Sequence, residues 1–486
     1  MPLSQLQPAS VWHYFGQICT IPRPSKQEEQ ILSWLKAFAG QHNLSFQSDA
    51  AGNLRIDKPA TPGYENAPVV ALQAHVDMVC EKHSYVEHDF ALQPIVPRVE
   101  GEWVKAHGTT LGADDGIGMA AILAVLADKE ATHGRLEALF TVDEESGLTG
   151  AFALSGNFLS ASMLINLDSE DEGELFIGCA GGIDTTATFT AIPIDVTGLP
   201  KAYRVALSGL KGGHSGDDIH RGRGNAIQIL SSALLALLPR VPFALARFEG
   251  GNLRNAIPRE ATAVIVTERG TEVVVETFLS DFFAREAALL PEDRGLTWLV
   301  TDQPTPQLAA DSNTVRGILE SLAGCPNGVI AWSETMEDTV ETSTNLASVK
   351  MEVPLRFLVA TSQRSFIEKD KREMAARIKG LFEIGGAVAV SGEGYPGWEP
   401  NPSSQLLSAA KTSYCKLFGQ EPKVRAIHAG LECGLFLEKY PMLDMISFGP
   451  TLRDVHSPDE RLHIRSVDKF YRLLVALLGH IAKQDE

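Results

Sequence analysis

Residues 69–81 read VVALQAHVDMVCE, an apolar run that closes on His75, Val76 and Asp77. An uninterrupted VVALQA stretch has the pattern of a strand buried on both faces, as the central parallel strands of an α/β sheet are. Side chains two apart on a strand share a face, so His75 and Asp77 emerge together at its carboxyl end. There the imidazole can take a metal ion and the carboxylate can orient the imidazole. H-x-D alone also describes two ordinary strand-end polar residues, and the other strand ends decide between the readings.

Residues 136–142 read as a second buried strand, ending in Asp143-Glu144-Glu145-Ser146-Gly147. Residues 163–167 read as a third, ending in Asp168-Ser169-Glu170. Acid at the carboxyl ends of successive strands is the placement expected of a site in an α/β sheet. Between the first and second strands, GTTLGADDGIG (residues 108–118) runs into the helical MAAILAVLA. Its glycines allow close backbone approach, but the loop lacks the Lys of a P-loop and the spacing of a dinucleotide fingerprint. Asp114 and Asp115 side by side repel an anion and attract a cation. A last strand, residues 442–448, is followed by His456 in HSPDE.

Strand ends and loops therefore supply His75 and His456 with Asp114, Glu144, Glu145 and Asp168. Mixed nitrogen and oxygen donors suit zinc, with manganese or cobalt as substitutes. So many donors fit two ions better than one, bridged by a carboxylate at a separation of about 3.5–4 Å. One of the adjacent glutamates can bind metal while the other stays free as general base. The residues alone leave open which does which.

A chain of 486 residues is too long for one ordinary core, so two domains are expected. The formal charge of -19 argues against nucleic-acid or anionic-membrane partners. No stretch of about 18 apolar residues occurs, and MPLSQLQPASVWHYFGQ lacks a charged segment followed by an apolar one. A cytoplasmic protein is the expectation. The six cysteines, with no C-x-x-C pair, read as reduced apolar fillers. Ser10 is expected to cap a first helix, and Ser25-Lys26-Gln27-Glu28 to open a second as a capping box. The sheet is expected to begin near Asn53, and residues 83–108 to be loop. From Gly181-Gly182 the texture changes to half-buried alternating strands, with a glycine-dense KGGHSG loop and a hairpin around LRNAIP. This middle part reads as α+β, two ferredoxin-like halves in tandem, until α/β texture returns after the linker at 392–398. The fold class is thus α/β, a mixed sheet flanked by helices interrupted by an inserted α+β domain, with boundaries 1–183, 184–395 and 396–486.

HVDM, GTTLGADDGIG, DEESG, NLDSE, KGGHSG, LRNAIPRE, HAGLECG and GPTLRDVHSPDE occur in this order. Over essentially its whole length the chain resembles the two-zinc metallopeptidases that include aminoacylases and carnosinases, and among them the bacterial cytosolic dipeptidases. The resemblance implies a two-zinc aminopeptidase-like catalytic domain with the inserted domain as a lid. It implies hydrolysis of dipeptides with free termini, especially Xaa-His such as β-Ala-His, with two Zn2+ per chain. Carried over by motif, His75, Asp114 and Asp168 would bind one zinc, and Asp114, Glu145 and His456 the other, with Asp114 bridging. Glu144 would be the general base and Asp77 would orient His75. In the lid, His214 would stabilise the oxyanion, while Asn255 and Arg356 would hold the substrate's carboxylate. A cis Asp114–Asp115 peptide is implied as well. So is a homodimer, because in relatives the lid histidine can reach a neighbouring subunit's site. Asp115 stands where relatives often show Asn, which adds negative charge beside the bridge. His220 and His428 read as buried hydrogen-bonding residues. The alternatives are another amidase of the family, aminoacylase or tripeptidase, and a non-catalytic metal-binding relative. The presence of Glu144 and of every ligand speaks against the last.

Overall fold

The strand that opens the sequence argument is the centre of an eight-stranded sheet in the first of two units, which comprises Met1–Gly178, Pro400–Ala426 and Leu431–Glu486. The structure, a computed structural model, describes residues 2–198 and 201–483. The strands are β1 (Ser45–Ser48), β2 (Leu54–Lys58), β3 (Val70–His75), β4 (Leu136–Thr141), β5 (Met163–Asn166), β6 (Glu174–Cys179), β7 (Lys423–Ile427) and β8 (Asp444–Ser447). Their order is β1-β2-β4-β3-β5-β8-β6-β7. Four central strands, β4, β3, β5 and β8, run parallel, while β1 and β2 add an antiparallel edge. Every residue of β3, β4 and β5 is buried, which is why none of the three alternates in sequence.

Helices cover this sheet for reasons visible in their composition. Ala113–Ala127 is apolar on nearly all sides and buried along almost its whole length. Ile464–Ala482 instead buries one stripe, with Val467, Phe470, Leu474, Leu477 and Ile481 at helical spacing. Three local expectations are corrected. The sheet begins at Ser45, not near Asn53. The stretch 83–108 is not all loop, since Arg98–Glu100 and Trp103–Lys105 pair with each other, and the latter also with Arg461–His463 beyond His456. The capping box does not form: the helix starts at Glu29, and Ser25 and Glu28 bond elsewhere.

The second unit comprises Cys179–Glu399 and Ile427–Gly430. Its ends lie a few residues from the expected boundaries, and the return of 427–430 to it was not foreseen. It holds an eleven-stranded sheet. One row of four strands is Thr297–Gln303, Lys201–Ser208, Ala261–Thr267 and Ala244–Gly250. The other is Val340–Val353, Arg356–Ser365, Gly181–Thr190 and Val388–Ser391. The rows join where Gly250 faces Val349. The two halves are therefore not sequential, because residues 181–190 pair in the second row. One apolar core, with Phe189, Phe248, Phe283, Phe357 and Phe382, runs through both. No helix among the described residues is long and apolar enough to cross a membrane.

Candidate active site

The carboxyl ends of β3, β4 and β5 lie side by side, and each delivers the residues expected of it. His75 closes β3, Glu144 and Glu145 follow β4, and Asp168 follows β5. Asp114 comes from the loop that enters the helix Ala113–Ala127, and the Asp114–Asp115 peptide is cis, as the family resemblance implied. His75 Nε2 lies 3.1 Å from Asp114 Oδ1 and 3.5 Å from Asp168 Oδ1. His456 Nε2 lies 3.0 Å from Asp114 Oδ2 and 3.0 Å from Glu145 Oε2. Asp114 thus offers one oxygen to each histidine, the disposition of a bridging carboxylate between two three-residue sets.

The donor set fits metal ions. Ligand atoms on a tetrahedral zinc at 2.0–2.1 Å stand roughly 3.3 Å apart, the spacing found around both histidines. His75, Asp114 and Glu145 present ligand atoms all within 4.8 Å of one another. Glu145 Oε1 is buried with no hydrogen-bond partner among the described residues. The electrostatics agree. Burial opposes charge on His75, but Asp168, Asp114 and Asp77 outweigh it and hold the imidazole well above its ordinary range. Hydrogen bonds to Asp114 and Glu145 push His456 up to about 11. Burial, with Glu432, Glu145 and Asp114 near, pushes Glu144 up to about 8. A cation bound among these groups would compete with their protons.

Asp77 does more than face His75. Its Oδ1 is 3.4 Å from His75 Nδ1 and accepts the backbone N–H of Glu144 at 3.0 Å. Its Oδ2 accepts from the Glu145 N–H at 3.2 Å and the Ser25 hydroxyl at 2.7 Å. Burial acts against its charge, yet these bonds hold it down at about 2. Asp115 is tied into the start of the helix. Its Oδ1 accepts the Gly118 N–H at 3.1 Å, so the side chain caps the helix. Burial, with Asp168 and Asp114 near, pushes its carboxyl above the ordinary range.

Two residues that motif reading passed over hold the Asp114 loop. Glu460, four residues after His456, accepts N–H groups from Leu111 and Gly112 at 2.7 and 2.9 Å on one oxygen. Its other oxygen accepts from Ala113 and Asp114 at 2.8 and 3.3 Å. The buried Arg23 guanidinium donates to Val76 O at 2.9 Å and to the carbonyls of Asp77 and Gly112. Gly112 is left-handed at φ 67°, and a side chain there would collide with Arg23. The acid that follows a histidine ligand by four residues and the arginine between two prolines were the available signals.

In the second unit, His214 pairs in a short ladder with Ala256, and Asn255 O accepts the Ser215 N–H at 2.7 Å, so His214 and Asn255 are neighbours. The backbone N–H groups of Gly216 and Asp217 approach His214 Nδ1 at 3.3 and 3.2 Å. Arg356 does not join them. It is exposed at the start of its strand, eight residues or roughly 27 Å from the other end. That other end carries Arg364, buried, with Nη1 3.2 Å from Tyr395 Oη and Nε without a partner among the described residues. Arg364 lies opposite Ser343, whose hydroxyl is 2.7 Å from His428 Nε2. Burial, aided by the Arg364 charge, pushes His428 down to about 3, a neutral hydrogen-bonding residue as expected. His220 by contrast is exposed.

The profile of peptidase family M20/M25/M40 matches residues 71–480. The chain is 42% identical over 486 residues, 99% of its own length and of the relative's, to the cytosol non-specific dipeptidase of Escherichia coli strain K12. Among solved structures it is similar to the aminoacylhistidine dipeptidase of Vibrio alginolyticus, with a TM-score of 0.92, 40% identity and 98% of each chain covered. A Bacillus cereus aminopeptidase, 17% identical with a TM-score of 0.57 over 98% of this chain and 100% of that one, shares the fold.

Proposed function

The chain belongs to peptidase family M20/M25/M40, and from that premise we propose that it hydrolyses dipeptides with free termini, Xaa-His among them, at a two-zinc centre. The observation that carries this reading is the division of Asp114 between His75 and His456 at the strand ends, with Glu144 alongside. His75, Asp114 and Asp168 would hold one ion, and Asp114, Glu145 and His456 the other. Bound there, the ions supply Lewis acidity, which polarises the scissile carbonyl and lowers the pKa of water. Glu144 is not needed as a ligand, and it takes the proton of the attacking water and passes it to the leaving amine. Asp77 positions both the base and His75.

The strand-end residues leave no hydrogen-bond donor for the oxyanion, normally the largest catalytic requirement. We assign that role to His214 of the inserted unit. With Nδ1 receiving the backbone N–H groups of Gly216 and Asp217, Nε2 is left as the ring's donor. Asn255 and Arg364, with Arg364 replacing Arg356, are assigned to the substrate's carboxylate. The supports are the adjacency of Asn255 to His214 and the unpartnered Nε of Arg364. We place the protein in the cytoplasm, as the name of the Escherichia coli relative has it, and as a homodimer.

The test is cleavage of β-Ala-His, Gly-His, other dipeptides, a tripeptide and acetylated amino acids before and after chelation. Loss of dipeptide cleavage on chelation and its return with zinc or manganese is expected. Chelator-resistant cleavage, or turnover of acetylated amino acids alone, overturns the reading.

A further inference from the structure

Beneath the layer of metal-site residues lies a second layer of buried polar groups that the mechanism does not use. Gln73 is two residues before His75 and Asn166 two before Asp168, so on each strand the lower residue shares a face with the upper one. Gln73 and Asn166 are register partners between β3 and β5, and Asn166 and Ser447 between β5 and β8. Their side chains bond in sequence across the sheet: Asn166 Nδ2 donates to Gln73 Oε1 at 2.5 Å, and the Ser447 hydroxyl donates to Asn166 Oδ1. The row ends on Glu432. One oxygen of this carboxylate, Oε2, accepts from Gln73 Nε2 at 2.7 Å and from the Thr141 hydroxyl at 2.7 Å. Thr141 lies opposite His75 in the β3–β4 register and is three residues before Glu144.

We infer that Glu432 is a positioning residue, which through Gln73 and Thr141 fixes the height at which β3 and β4 present His75 and the Glu144–Glu145 pair to the metals. Its side chain is 0% exposed, and its other oxygen, Oε1, has no hydrogen-bond partner among the described residues. A core needing only bulk would be served better by an apolar residue, because a buried carboxylate with an unsatisfied oxygen destabilises the fold. The one thing Oε2 does that an apolar group cannot is tie two adjacent parallel strands to a single point below their ligands. A one-sided shift of either strand would break a bond to Glu432 before it moved a ligand.

This inference rests on the metal site proposed above, and the experiment separates the two. Zinc affinity is measured by competition with a chelating dye for the native chain, Glu432→Ala, Glu432→Gln and Thr141→Val, alongside kcat and KM for a dipeptide. The native chain must bind zinc; if it does not, the metal-site reading itself fails. Glu432→Ala should weaken zinc binding by up to about 10–100-fold, the loss seen when a direct partner of a ligand is removed, and lower kcat with little change in KM. Glu432→Gln should stay near native in both, because its carbonyl still accepts both bonds. Thr141→Val, which cuts one of the two bonds at constant size, should weaken zinc binding in the same direction by less, and it decides the matter if Glu432→Ala does not fold. Native zinc affinity in Glu432→Ala, or in Thr141→Val where that variant decides, would reduce Glu432 to a core residue. A Glu432→Gln as impaired as Glu432→Ala would show that charge and not position is what it supplies.

Discussion

Asp77 Oδ1 accepts the backbone N–H of Glu144 at 3.0 Å. A residue identified by its spacing from His75 is thereby also the anchor of the proposed general base, and the second oxygen anchors Glu145 in the same way. Asparagine keeps the shape but turns one acceptor into a donor, which must then face a backbone N–H. Asp77→Asn should therefore lower turnover or zinc affinity about 10–100-fold although Asp77 touches neither metal nor substrate. Steady-state kinetics with metal analysis checks this, and native values for both would limit Asp77 to a packing role.

The two glutamates should separate cleanly. Glu145 Oε2 is 3.0 Å from His456 Nε2, whereas Glu144 has no such partner among the described residues and is pushed up to about 8. Glu144→Gln should retain its metal and lose about 10²–10⁴-fold in kcat, since an amide cannot take the water's proton. Glu145→Gln should lose metal content first. The reverse pattern would exchange the two assignments.

The residues proposed as ligands stood out because each either closes a non-alternating apolar strand or stands in a glycine-rich or histidine-bearing loop that needs no long-range information to notice. The residues that hold those ligands did not. Glu460 and Arg23 bond to the backbone of a loop around Gly112, 348 and 89 positions away, and a carboxylate that binds N–H groups looks in sequence like any solvated acid. Ser25 and Glu28 match a helix start so well that their real partners, Asp77 and the Asp143 N–H, were hidden. Arg356 and Arg364 share a strand and, being an even number apart, a face. Only the pairing of that strand's far end with Ser343 and Gly182 picks out the second.

Metal-free protein should be more stable at pH 5.5 than at pH 8. Burial, followed by neighbouring carboxylates, pushes Glu144, Glu170 and Glu432 from 4.5 to about 8. Between those values the native state binds more protons than the unfolded one, so stability falls as pH rises. His456, held at about 11 by Asp114 and Glu145, acts in the same direction: its contribution is complete below about 6.5 and fades as pH rises toward 11. Asp77, at about 2, loses its contribution only in stronger acid. Metal competes with these protons, so the Tm difference between zinc-loaded and chelated protein should widen from pH 5.5 to 8. Thermal melts at both pH values test this, and a constant or narrowing difference would contradict it.

Arg364, and not Arg356, should govern recognition of the substrate's carboxyl end. Arg364 is buried and held by Tyr395, its Nε has no partner among the described residues, and its charge acts on Asp217, the ion-pair partner of His214, whereas Arg356 is exposed at the opposite strand end. A guanidinium meets a carboxylate with two parallel bonds that an ammonium cannot reproduce. A charge-assisted bond contributes about 1.5–3 kcal/mol, so Arg364→Lys should raise KM for a dipeptide about 10–100-fold while metal content stays native. Arg356→Ala should change KM by no more than about twofold, as a surface substitution does. The decisive comparison uses a dipeptide and its C-terminal amide. The native enzyme should prefer the free acid, and Arg364→Lys should erase most of that preference by losing the acid and sparing the amide. Equal losses for both substrates would mean that Arg364 supports the fold of the inserted unit without touching the carboxylate, and a large KM effect in Arg356→Ala would restore the arginine that motif matching first suggested.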